Sequence, residues 1–136
     1  MTIDEARKEL ESYKKIERII DQRRAWIRDR KSTVSKLTAT LSSEPKGTRK
    51  HNDTMAESLT SILDIEAETE LQIRELEVKK KVIFNKVMKL DSPYQEVLFN
   101  NFIMGDTVES TALAIGYSRI QTFRIKSKAL ELYANL

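Results

Sequence analysis

Four basic side chains, Arg119, Arg124, Lys126 and Lys128, stand close together in the stretch Ser118 to Lys128, which contains no acidic residue. That density suits recognition of phosphates and base edges: arginine can donate bidentately to guanine, and lysine acts as a point charge on phosphate. The residues ahead of them have the spacing of two helices meeting at a tight bend. Ala112 is small enough for a close approach, and Gly116, four residues on, allows the bend cheaply. Ser118 offers its hydroxyl to the first turn of the following helix, and Thr107 does the same for the preceding one. Within the second helix, Thr122, Ile125 and Ala129 recur at three- and four-residue intervals and are expected to face inward. The candidate DNA-contact residues are therefore Thr107, Ser118, Arg119, Ile120, Gln121, Phe123, Arg124, Ser127 and Lys128. Arg119 and Arg124 are the best placed to read bases, and Lys126 and Lys128 to meet phosphates or solvent.

Other chemistries find little support. His51 sits in a polar stretch with only Asp53 as an acidic neighbour, and the chain has no cysteine, so no disulfide and no metal site are expected. Glu66, Glu68 and Glu70 are spaced two apart, which on a helix points them to different faces rather than at one ion. No glycine-rich phosphate loop or nucleophile elbow is present, and the expectation is a non-enzyme without a cofactor.

The run T-V-E-S-T-A-L-A-I-G-Y-S-R, Thr107 to Arg119, aligns without gaps on the helix-turn-helix of region 4 of bacterial sigma factors, and A-L-E-L, Ala129 to Leu132, resembles that module's closing helix. Thr111 and Thr122 stand where the sigma pattern has aliphatic residues, and Phe123 where a polar DNA-facing residue is common. A long helical N-terminal part joined to such a module resembles small phage regulators of late transcription in Gram-positive hosts, the RinA and ArpU type. That broader resemblance covers the whole chain, and its specific motifs lie in the last forty or so residues. It implies activation of late genes at promoters, in contact with host RNA polymerase.

The elements that must position this module are long. Ala6, Tyr13, Ile20, Ile27, Val34 and Leu41 recur every seven residues, and Met55, Leu59, Ile62, Ile73, Leu76, Ile83, Val87 and Leu90 follow the same three-four alternation. Between them S-S-E-P-K-G-T-R-K-H-N, Ser42 to Asn52, is the clearest loop. An antiparallel hairpin follows, in which facing residue numbers total 96: Leu41 with Met55, Leu37 with Leu59, Val34 with Ile62, Ile27 with Thr69, Ile20 with Leu76, Tyr13 with Ile83 and Ala6 with Leu90. Arg30 falls opposite Glu66 as a polar layer. Glu68 and Glu70 come within reach of Arg24 and Arg28. Ile3, Leu10, Ile19, Trp26, Leu63, Ile65, Leu71, Val78 and Val82 fall off this seam, which calls for a second buried face supplied by another copy, by the C-terminal module or by a partner protein. After Leu90 a scaffold helix is expected, capped by Ser92 with Pro93 and Gln95 in the first turn, carrying Val97, Leu98, Phe99, Phe102 and Ile103 and ending at Gly105.

The predicted fold is thus all-α: a coiled-coil hairpin over residues 1–90 with its loop at 42–52, followed by a three- or four-helix helix-turn-helix domain over 91–136. The net charge of +3 divides into +6 for Met1 to His51, −2 for Asn52 to Leu90 and −1 for the remainder. The basic run Arg18 to Lys31 either meets the acidic second arm or offers a second nucleic-acid surface. The start M-T-I-D-E-A-R-K-E alternates charge and no apolar run approaches a membrane span, so a soluble intracellular protein is expected; the resemblance implies the cytoplasm of a bacterial host cell, with the protein on DNA. Its expected partners are double-stranded DNA, host RNA polymerase, a further regulatory protein, and copies of itself in a dimer or tetramer joined through the hairpin. Two other readings differ in class. A phage small terminase subunit would recognise packaging sites, although its DNA module usually comes first; an adaptor would bind only protein, with Ile120 and Phe123 as apolar anchors.

Overall fold

The computed structural model describes residues 1–43 and 49–136, with side chains described for 1–39 and 56–136. Among the described residues the chain is all-α, with no strand. Helix α1 spans Ile3–Ser43 and α2 spans Arg49–Met88. The first helix starts after a reciprocal cap: the Thr2 backbone N–H donates to the Glu5 carboxylate, and the Glu5 N–H donates to the Thr2 hydroxyl, both at 3.2 Å. Of the residues expected to form the loop over 42–52, 42–43 and 49–52 are helical; residues 44–48 lie outside the described residues. The expected layer of Leu41 with Met55, and the side chain of His51, also lie outside them.

The helices are divided between two compact units, one formed by Met1–Arg18 with Glu77–Leu136 and the other by Ile19–Leu76. Within Ile19–Leu76 the two arms run antiparallel. Arg23 donates to Gln72 at 2.9 Å and Lys31 meets Glu70 at 3.8 Å, so partner numbers fall as those of α1 rise. The Arg23–Gln72 pair totals 95, one short of the expected register. Ile20, Ile27 and Ile73 are buried, with Val34, Leu37, Leu59, Ile62, Thr69 and Leu76 half-buried along the same seam. The expected Arg30–Glu66 layer does not form. Glu66 is 6% exposed and its Oε1 has no hydrogen-bond partner, whereas Arg30 is exposed and lies over the Trp26 ring at 5.2 Å. Trp26 is one turn away on the same helix, and its ring face takes the guanidinium without burying it. A carboxylate oxygen buried without a partner costs stability.

In the other unit the same antiparallel pattern holds, with Lys86 bonded to Glu9 at 3.3 Å and Lys80 lying 5.4 Å over the Tyr13 ring. Ala6, Leu10, Tyr13 and Ile16 of α1, Ile83 and Val87 of α2, and Leu90 just after it are buried. Leu10 is off the coiled-coil seam yet fully buried, because the C-terminal helices share this core. Several contacts mark the join. Lys86 lies 5.4 Å over the Tyr133 ring, Phe84 meets Phe99 edge-on at 6.3 Å, and a Cβ on Gly105 would sit 3.1 Å from Lys14 Cε. The expected boundary between residues 90 and 91 falls inside this unit.

The scaffold segment begins at α3 (Tyr94–Leu98) and continues as a π-helical turn, Phe99–Ile103. Val97, Leu98, Phe102 and Ile103 are buried, as their spacing requires. The expected Ser92 cap is not formed: Pro93 holds the N-cap position and no side chain caps it. Gln95 reaches back instead, donating to the Met88 carbonyl at 2.9 Å and satisfying an orphan acceptor at the end of α2. Two helices complete the chain, α4 (Val108–Ile115) and α5 (Arg119–Ala134), and both pack with α3.

Tyr133 links α5 to this core and confers a pH dependence. Burial, then the negative charge of Glu9, pushes its phenol well above the ordinary value of 10. The folded state therefore favours the neutral phenol. This contribution to stability is fully present below pH 10 and is lost as pH rises above it, where only the unfolded chain ionises readily. In an absorbance titration at alkaline pH, Tyr133→Phe should remove one late-ionising phenol and make the loss of helicity above pH 10 less steep. An unchanged titration would mean that Tyr133 ionises normally.

Candidate nucleic-acid interface

The C-terminal module is set by three local devices. Thr107 accepts a bond from the Ser110 N–H at 3.1 Å and starts α4. Gly116, at φ +78°, ends it: its N–H and that of Tyr117 both donate to the Ala112 carbonyl, at 3.0 and 3.1 Å. A left-handed residue at this position closes the helix and turns the chain, and glycine adopts it without a Cβ clash. Ser118 then opens α5 with a full capping box, in which the Gln121 N–H donates to Ser118 Oγ and the Ser118 N–H to Gln121 Oε1, both at 3.2 Å. Ala112 is buried where α4 packs against α5.

The two threonines that depart from the aliphatic pattern are fully buried without leaving a polar atom unpaired. Thr111 Oγ1 donates to the Thr107 carbonyl and Thr122 Oγ1 to the Ser118 carbonyl, each at 2.8 Å. The hydroxyl of each is absorbed by the turn below, which leaves the methyl to pack.

The expected contact residues divide into three groups. Ile120, Arg124, Ser127 and Lys128 are exposed on one side of α5, opposite its buried Thr122, Ala129 and Tyr133. Arg124 engages no acidic side chain among the described residues, whereas Lys128 meets Glu131 at 3.6 Å. Thr107, Ser118 and Gln121 serve as caps, so their side chains hold the two helix starts in place. Arg119 and Phe123 form the third group, since the Arg119 guanidinium lies 5.7 Å over the Phe123 ring and forms an ion pair with Glu109 at 3.0 Å. Lys126, expected to meet phosphate or solvent, is turned inward. Its ammonium lies 5.0 Å over the Phe102 ring, and its pKa is lowered by burial and by Arg7, with Glu11 acting the other way.

Three features were missed in the sequence. Glu109 contacts the first residue of α5, and Leu113, one turn further along α4, is 86% exposed. The charge around the module also differs from that of its own segment. Residues 91–136 carry −1, but the unit that contains them holds fourteen basic and eleven acidic residues, a net +3, because the end of α2 and the residue after it contribute Lys79, Lys80, Lys81, Lys86 and Lys89. Among the described residues, no group of three metal-ligating side chains occurs and no helix is long and apolar enough to cross a membrane. No family model matches the chain, and comparison with curated proteins and with solved structures finds no similar protein.

Proposed function

We propose that this chain is a sequence-specific DNA-binding transcription regulator, in keeping with its resemblance to the RinA and ArpU type of phage late-gene activators. One observation carries the reading: two capped helices joined at the left-handed Gly116 leave Ile120, Arg124, Ser127 and Lys128 exposed along a single side of the second. In this reading α5 enters the major groove, Arg124 and Arg119 meet base edges, and Lys128 and the start of α4 meet phosphates. The protein acts in the cytoplasm of a bacterial host, beside its RNA polymerase.

Self-association completes the mechanism. Leu63 and Leu71 remain exposed on the unit Ile19–Leu76 and offer apolar surface to a second copy, and a dimer would bring two recognition helices to one duplex. Such helices commonly read half-sites about 34 Å apart.

Binding to promoter-bearing duplexes across a salt series tests the function. Affinity should fall steeply with salt and should differ between fragments. A flat salt response, or equal affinity for every fragment, would rule the reading out. The adaptor reading retains one supporting observation, the exposure of Leu113, Ile120 and Phe123, and it would be favoured by capture of RNA polymerase without any DNA affinity.

A further inference from the structure

Resting on the DNA-binding reading, we infer that Glu109 is a specificity-determining residue, which with Phe123 fixes the Arg119 guanidinium so that its remaining donors can meet only a guanine.

The geometry begins at the two caps. Glu109 lies in the first turn of α4, just after the Thr107 cap, and Arg119 is the first residue of α5, just after the Ser118 cap. Both backbones are therefore anchored, and the 3.0 Å contact from Arg119 Nη2 to Glu109 Oε1 spans the turn between the helices. The Phe123 ring under the guanidinium, 5.7 Å away, supplies a platform that limits its tilt. A guanidinium has five donors in one plane. With Nη2 paired to a carboxylate and one face over a ring, the donors on the far side of the guanidinium are the ones left to meet a base. Guanine presents O6 and N7 side by side in the major groove, which matches that edge bidentately.

The energetics favour a role in selection over a role in stability. The Arg119 and Glu109 side chains are 67% and 56% exposed, so water weakens their attraction in the free protein. Duplex DNA docked on α5 would exclude that water, and the same pair would strengthen when a base is being read. Glu109 also repels phosphate. Only when Arg119 is correctly seated does the carboxylate remain neutralised, so a misplaced base leaves a negative charge facing the duplex. The sequence thus gives up nonspecific attraction in exchange for discrimination.

Selection from a randomised duplex pool tests this with the full chain. Wild type should enrich a guanine at one position that Arg119→Ala no longer selects, which assigns that position to Arg119. Glu109→Gln should bind the unselected pool more tightly, because a repelling charge has gone. It should also lose about tenfold of the guanine preference at that position, with the other positions unchanged. Phe123→Leu should relax the same position. If Glu109→Gln keeps the full guanine preference, the inference is overturned while the DNA-binding reading stands. If wild type enriches no sequence at all, both fall.

Discussion

A fragment spanning residues 91–136 should fail to fold on its own. It contains the whole helix-turn-helix, but in the full chain Leu10 from α1 and Val87 from α2 are completely buried in the same unit, and Lys86 covers the Tyr133 ring. Without residues 1–18 and 77–90, the fragment would expose apolar surface that so short a chain has little core to offset. Circular dichroism should show a broad, non-cooperative melt for the fragment and a sharp one for the full chain. Within the full chain, Leu10→Ala should cost about 2 to 5 kcal/mol through the cavity that it leaves, and should lower the melting temperature by on the order of 10 °C. A fragment that melts cooperatively near the temperature of the full chain would show that the module is self-sufficient.

Replacing Arg119 and Arg124 together with alanine should have the largest effect on DNA binding. Each bidentate contact to guanine is worth about 1 to 3 kcal/mol of discrimination, so affinity for the preferred site should fall by about two orders of magnitude while affinity for random duplex changes much less. Lys128→Ala should weaken both equally and reduce the slope of affinity against salt by about one. Both arginines are exposed, so the double substitution should leave the melting temperature nearly unchanged. If preferred and random duplexes were weakened alike, the two arginines would be phosphate contacts rather than base readers.

The parts of this chain that could be read from sequence are those settled by near neighbours. Thr107, Gly116 and Ser118 each do their work within four residues, so residue type and spacing were enough to identify them. The heptad pattern gave the antiparallel pairing of the arms for a similar reason, since one repeat constrains every layer at once; Arg23 meets Gln72 one residue from the expected register, whereas Lys31 meets Glu70 five residues from it. What escaped depended on a third element. Leu10 looked like surplus on a coiled coil and Lys126 like a phosphate contact, but each is buried or half-buried in the unit that combines the helix ends with the C-terminal module. Arg30 and Glu66 were paired by register alone, which takes no account of Trp26 as a competitor one turn away. The Glu109–Arg119 contact spans ten residues across a turn and follows no helical period, so no pattern in the sequence announces it.

The chain order of the first unit also bears on synthesis. Its core joins residues near the beginning, such as Ala6 and Leu10, to residues near the far end of the described chain, such as Leu130 and Tyr133. At about 5 to 20 residues per second, a ribosome needs roughly 6 to 25 seconds to travel from the first group to the second. Throughout that interval the early turns of α1 wait without their partners, and once Leu76 has been added the arms of Ile19–Leu76 are complete in sequence and free to pair. A ribosome that stalls between Leu76 and Tyr133 would therefore release a chain whose Ile19–Leu76 arms are complete while the core shared by Ala6, Leu10, Leu130 and Tyr133 is not.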